Sequence, residues 1–305
     1  MKRAAFLLTL AFLVLQGVAF ADGCFMPDER TWKERRERSL INEPEQKAVV
    51  FFSKGTEQLI ISPSYEGAST GFAWVVPVPA RPKVEILKGA IFHELAKLVE
   101  PAPPIGRSDR VLSAGKAPQS VTVLERKTVG AYDVSVLAAT DPKALMNWLA
   151  ANKYHLPANA VKPMKSYVEE GWTFVACRIK VPGNAKGLRT GTLAPLRLTF
   201  KAENPIYPLR LSSANPESFD LVVYVILRTS DIGVRQDKLA LAGSPDRPNV
   251  SVVTYRRAIV PKGQKSYPTL AKLGSPEMQV FMEHSNPLPS QCVRDMIWTL
   301  PFRRK

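Results

Sequence analysis

Gly67-Ala68-Ser69-Thr70-Gly71 fits the G-x-S-x-G pattern of a nucleophile elbow. In such an elbow a strand delivers the serine into a sharp turn and a helix starts directly after it. The residues that follow here, Phe72-Ala73-Trp74-Val75-Val76-Pro77, have the character of a strand. The helix that the chemistry needs is missing, and small residues in a loop between strands account for the match. The three histidines offer no metal spacing. His93-Glu94-Leu95-Ala96-Lys97 carries lysine where a zinc-binding helix needs its second histidine. That His93 lies off the apolar stripe of its helix and is expected to be exposed, while His155 and His284 fall in turn-like stretches ending in Pro157 and Pro287. Asp133, Glu169, Glu170, Asp220 and Asp231 are the acids on which a dispersed glycosidase pair would draw, and their separation depends on the fold. No P-loop or dinucleotide glycine fingerprint is present. The residues assign no catalytic, cofactor-binding or metal-ligating side chain, and no cofactor.

The thiols are Cys24, Cys177 and Cys292. An odd count in an exported chain suggests one bridge and one leftover. Alternation in Thr173-Phe174-Val175-Ala176-Cys177-Arg178-Ile179-Lys180-Val181 puts Cys177 on the apolar face with Val175, Ile179 and Val181, where a thiol behaves as a small hydrophobe. Cys24 and Cys292 lie near the two ends of the mature chain, and domain termini are often close in space, so these two are the expected disulfide.

Export itself is read from the first 21 residues. Lys2 and Arg3 precede an almost unbroken apolar run from Ala4 to Leu15, and Ala19-Phe20-Ala21 forms an A-x-A cleavage site that leaves Asp22 as the mature N-terminus. An uncleaved anchor is the rival reading, since 4–21 is only just long enough to span a bilayer. Lipidation of Cys24 is weaker still, because Ala21-Asp22-Gly23 lacks the leucine such sites show and carries an acid. No later stretch reaches membrane length, so no transmembrane span is expected after processing, and the mature protein is placed in the periplasm or outside the cell. Cleavage removes two of the +15 formal charges and leaves +13. A basic exported protein meets anionic polymers and surfaces. No zinc-finger spacing or aromatic RNA-binding signature accompanies the charge, so no nucleic-acid partner is expected. The densest basic run, Arg30 to Arg38, interleaves acids at i,i+4 spacing and reads as a solvated helix or linker.

Apolar residues make up 45% and charged residues 23% of the 305, the mix of a globular chain rather than a fibre or a disordered tail. Prolines number 26, above the usual share of about 5%, and proline breaks helix interiors and central strands. Strands are expected at 47–53, 58–62 and 71–78, followed by a helix with Leu87, Ile91, Leu95 and Leu98 on one stripe. A hairpin is expected over 120–139, turning near Gly130. Asp141-Pro142 supplies the N-cap and first-turn proline of a helix carrying Leu145, Trp148 and Leu149. A short helix near 162–169 then leads to the Cys177 strand. Strands at 196–200, 206–212 and 219–227 repeat the rhythm of 49–72; the slight side-chain identity favours two independent meanders over an internal duplication, the alternative reading. A strand at 250–260 and short helices near 275–283 and 290–299 complete the chain. The sum is an α+β fold with predominantly antiparallel sheet, built from β-meanders and a hairpin with several short helices. One domain is expected over 22–305, with sub-structure at 22–190 and 191–305.

Several segments resemble a bacterial exported family known as a domain of unknown function, DUF2330. They are Gln46-Lys47-Ala48-Val49-Val50, Phe72-Ala73-Trp74-Val75-Val76-Pro77-Val78-Pro79, the stretch from Val123 to Val134, Glu170-Gly171-Trp172-Thr173-Phe174-Val175-Ala176, and Pro195 to Phe200 with Pro205 to Leu211. The resemblance runs in order from about Asp22 to Leu227. It implies an exported bacterial protein with one continuous family domain, and it carries no catalytic residue, because the family has no established activity. Two functions follow as expectations. One is a non-catalytic binding or structural module that engages an anionic envelope polymer or another envelope protein. The alternative is a hydrolase or carbohydrate-active enzyme with a dispersed acid/base pair.

Overall fold

A computed structural model describes residues 24–27, 43–67, 71–99, 122–129, 132–180, 189–215, 218–229, 240–241, 252–259, 267–273 and 278–300. The proposed leader, the Arg30–Arg38 run, Ser69 and Asp231 lie outside these residues.

The organising element is a hairpin. β2 (Glu45–Ser53) and β3 (Thr56–Gly67) pair antiparallel with Ser53 opposite Thr56, so only Lys54 and Gly55 make the turn. Both have positive φ, 50° and 72°, the geometry whose twist matches that of flanking strands. β12 (Asp220–Arg228) then lies parallel to β2, in register from Asp220 opposite Glu45 to Leu227 opposite Phe52. Every other pairing in this large sheet is antiparallel. Its order is β14 (Val252–Ile259), β15 (Met278–Ser285), β12, β2, β3, β10 (Leu196–Lys201) and β5 (Lys83–Ile86), with β9 (Arg189–Thr192) beside the far end of β3.

Alternation sends the side chains of β2 to two different cores. Ala48, Val50 and Phe52 join Leu59, Ile61, Leu221 and Val223 in one cluster, while Val49 and Phe51 join Ile60, Tyr224 and Ile226 in another. The second cluster is closed by α1 (Ile91–Val99) and α4 (Pro268–Leu273), through Ile91, Leu95, Leu270 and Leu273. The first is closed by a five-stranded antiparallel sheet in the order β1 (Cys24–Pro27), β4 (Gly71–Val78), β8 (Thr173–Lys180), β7 (Tyr132–Ala138) and β6 (Thr122–Val129). Its inner face meets the large sheet where Phe72 lies 5.5 Å from Tyr65 and the Tyr132 hydroxyl donates to Ala194 O. Its outer face is covered by α2 (Pro142–Ala151) and α3 (Val161–Glu169), with Tyr167 edge-on to Phe174 at 6.5 Å. The layers therefore run helix, sheet, sheet, helix, and a small sheet of β11 (Ile206–Tyr207), β16 (Met296–Thr299) and β13 (Ala240–Leu241) closes one side.

This is the expected α+β, mainly antiparallel architecture, with local differences that have physical causes. Asp141 caps α2 as expected, accepting from Lys143 N at 3.0 Å. The stripe helix starts at Ile91 rather than Leu87, because 83–86 is claimed by pairing with β10. The expected strand at 206–212 stops after Tyr207 and turns into a 3-10 segment, Arg210–Ala214. The expected helix near 275–283 is strand β15. Its Met, Gln and Glu favour helix in isolation, but β12 and β14 pair with it on both sides and burial overrides propensity. Likewise 290–299 holds only a 3-10 turn, Pro289–Gln291, before strand β16, and His284 lies in β15 rather than in a turn.

Lys54 is an L-residue with a Cβ in a left-handed turn position that asparagine or glycine fills at lower cost. Lys54→Asn is expected to stabilise the protein by up to about 1 kcal/mol, read as a higher urea midpoint at an unchanged slope.

Candidate functional site

The densest polar constellation among the described residues forms where α3, the 3-10 segment and the start of β16 meet. Arg210 is placed there because the chain leaves β11 into a 3-10 turn that aims its side chain at α3. Its Nε donates to Asp295 Oδ2 at 2.9 Å, Nη1 donates to Ser166 Oγ at 3.1 Å and to Glu170 Oε1, and Nη2 donates to Glu170 Oε2 at 2.6 Å. The guanidinium also lies 4.0 Å from the centre of the Tyr167 ring and 5.6 Å from that of Trp172. Asp295 is engaged on its other oxygen too. Its Oδ1 accepts from the Tyr167 hydroxyl, from Leu209 N at 2.8 Å and from Arg210 N at 3.1 Å.

Burial alone would lower Arg210, yet the bonds to Glu170 and the charge of Asp295 hold it above its ordinary value. Burial pushes the Tyr167 hydroxyl well above its ordinary value, and the Asp295 charge adds to this. Arg210 is therefore a permanent cation and Tyr167 a neutral donor, neither suited to moving protons near neutral pH. Four of the five N–H groups of Arg210 are already committed, so the cluster does not present a fork to a ligand anion. Its geometry is that of a clamp joining α3 to the C-terminal segment.

The residues singled out by sequence are dispersed. Asp133 accepts from Thr128 Oγ1 at 3.0 Å and stands opposite Arg178, which donates to the Tyr154 hydroxyl and to Asn152 O at 3.1 Å. Burial raises Tyr154 to about 12, offset in part by Arg178. Glu169 pairs with Lys165 at 3.5 Å, Glu170 with Arg210, and Asp220 with His284 at 3.3 Å and Asn286 at 3.2 Å. His93 is exposed on α1, and desolvation lowers His155 in the loop after α2. Among the described residues no three His, Cys, Asp or Glu side chains converge to hold a metal, and no helix is long and apolar enough to cross a membrane. Cys177 is a fully buried free thiol on β8, and Cys292 is a buried free thiol whose Sγ donates to Leu288 O at 3.6 Å. Desolvation raises both, Cys292 to about 12, which keeps them protonated and poorly nucleophilic.

Sequence reasoning missed the work done by several acids. Glu94, the acid of the false zinc motif, is buried and accepts from Thr269 N at 2.9 Å and Leu270 N at 2.9 Å, which caps α4 from across the interface. Gly89 permits this approach, since a Cβ there would meet Thr269 Oγ1 at 2.3 Å. Glu43, Glu57 and Glu283 are buried as well. The one available signal was the odd presence of an acid in an apolar stretch, as in Ile91-Phe92-His93-Glu94-Leu95.

A family model described as "Uncharacterized protein conserved in bacteria (DUF2330)" matches residues 35–275. No curated protein matches the sequence. Among solved structures, the crystal structure of baculovirus P35 superposes with a TM-score of 0.39 at 9% identity, over 87% of this chain and 98% of that one.

Removing the cation of the clamp strands Asp295, whose side chain is only 4% exposed. Arg210→Ala is expected to cost about 3 kcal/mol or more, the scale for breaking a buried pair. Glu170→Gln, at a side chain nearly half exposed, is expected to cost under about 1 kcal/mol. Denaturant midpoints of the two variants test the contrast.

Proposed function

The chain belongs to the DUF2330 family of bacterial proteins, and from that premise we propose that it is an exported, non-catalytic envelope module that binds an anionic envelope polymer. The observation that carries this reading is how the fold sorts charge. Among the described residues the buried charged ones are Glu43, Glu57, Glu94 and Glu283, all acids, whereas each lysine whose side chain is described there is exposed or half-exposed. A mature chain whose formal charge is already +13 thus presents, over its described residues, a surface richer in cations than their composition. The groups that could do chemistry support the same reading from the other side, because they are spent on caps, ion pairs and the Arg210 clamp.

In this proposal Ala21-Asp22 is the cleavage point and the mature chain reaches an oxidising compartment. There Cys24 and Cys292 join, two thiols giving a disulfide as two protons and two electrons pass to an oxidant of that compartment. β1, which Cys24 opens, and the Pro289–Gln291 turn next to Cys292 both pack on the Arg210–Ala214 segment, which supports the pairing.

Protein exported with its own leader is expected to begin at Asp22 and to yield a Cys24–Cys292 peptide on non-reducing mass mapping. An intact Met1, or Cys292 recovered as a thiol from oxidised material, would refute those two parts separately. The mature protein is further expected to be retained on an anionic polysaccharide at low salt and released as salt screens the contact. Absence of retention at low ionic strength, or a covalent adduct on Ser69 from a serine-reactive probe, would sink the binding-module reading.

A further inference from the structure

The small sheet is held to the large one by side chains that are unusual for a core. β3 alternation puts Glu57 on the same face as Leu59 and Ile61, pointing between the layers, and its exposure is 0%. Its Oε2 accepts from Ile206 N at 2.8 Å, the first residue of β11. Its Oε1 is buried with no hydrogen-bond partner among the described residues. Next along β11, the Tyr207 hydroxyl donates to Gln46 Oε1, and Gln46 is also 0% exposed. Two consecutive residues of a two-residue strand are thus tied to polar side chains of the hairpin.

Among the described residues no cation faces Glu57. Opposite it on β2 is Phe52, and opposite it on β10 is Phe200. Lys201, next on β10, points away and donates to Thr56 Oγ1 at 2.8 Å on the exposed side. Lys54 in the turn and Glu203 in the connection to β11 are exposed. On β11 the neighbours are Ile206 and Tyr207, and on β16 Met296 and Trp298 are non-ionisable, while the Asp295 that precedes them is held by Arg210. A carboxylate stripped of water and met by one N–H would carry a large desolvation penalty, whereas a neutral acid accepts the same bond without it.

We propose that Glu57 is a neutral carboxylic acid at neutral pH and a proton-dependent latch, holding β11 on the large sheet while protonated and releasing it on ionisation. The proposal is independent of what the protein binds. Burial raises the Glu57 carboxyl well above its ordinary value, and the Ile206 N–H offsets this only in part. The sign follows from that direction. The closed form holds the proton more tightly than the opened form, so from the ordinary carboxyl range up to the raised value opening releases one proton. The latch is fully closed in acid and weakens as pH rises.

Amide exchange at Ile206, corrected for intrinsic chemistry, tests this on the full chain. Above about pH 5 the protection of Ile206 is expected to fall about tenfold per pH unit, the slope for one linked proton, until the raised value is reached. In Glu57→Gln, which keeps the acceptor and cannot ionise, protection is expected to be flat. A flat wild-type profile, or an equally steep one in the variant, overturns the proposal. Should the variant not fold, the wild-type carboxyl carbon-13 resonance of Glu57, assigned through its contact with Ile206 N–H, decides the matter. It is expected at the neutral-acid position at pH 7, and an ionised position there refutes the latch.

Discussion

The whole architecture depends on β2 and β12 lying side by side, parallel, with apolar side chains on both faces. A parallel pair cannot close through a short turn, and it is stable only when both of its faces are removed from water. Here that demand is met unequally. One face takes a second sheet and the other takes two short helices, which together make the four layers. A charge at Val50 or Val225 would therefore disturb a sheet-on-sheet interface, whereas one at Val49 or Ile226 would disturb only the helical cover.

Layers assembled this way need lateral ties, because the hydrophobic effect fixes area and not position. The protein supplies those ties with buried acids. Glu94 binds α1 to the first turn of α4, Asp295 binds the C-terminal segment to α3 through Arg210 and Tyr167, and Glu57 binds the hairpin to β11. They differ in what they meet. Glu94 and Asp295 each accept several hydrogen bonds, and Asp295 also has a cation. Glu57 has a single backbone donor, so it is the tie whose strength depends on its proton.

Much of the frame was legible because local rules and tertiary demands agreed. The strands expected at 47–53 and 58–62 are the two arms of the hairpin, although pairing extends the second arm back to Thr56; Asp141-Pro142 starts α2, and the apolar runs Phe72 to Val76 and Leu221 to Leu227 lie in the strands expected at 71–78 and 219–227. What was not legible depends on partners far away in sequence. β15 is a strand because β12 and β14 flank it, and Arg210 leaves the expected strand to reach α3. The parallel register of β2 with β12 joins residues 45–52 to 220–227, and nothing local encodes that choice. The candidate site follows the same pattern. Residue types could be listed from the sequence, but whether Asp220 meets another acid or His284 is decided by sheet register alone.

Charge sorting links the ties to the outer surface. Each acid drawn inward as a tie is an acid subtracted from the exterior, while lysine, with its long stem and strongly hydrated head, stays outside. The formal count, +15 for the full chain and +13 once the proposed leader is removed, treats every glutamate as an anion. A neutral Glu57 contributes no negative charge, so the charge felt by a partner exceeds the formal count by one unit while the latch is closed. When Glu57 ionises, the protein loses that unit of positive charge at the same time as β11 loosens. A contact with a polyanion and the closure of the small sheet would then be favoured by the same proton, with no need for the partner to touch Glu57 itself.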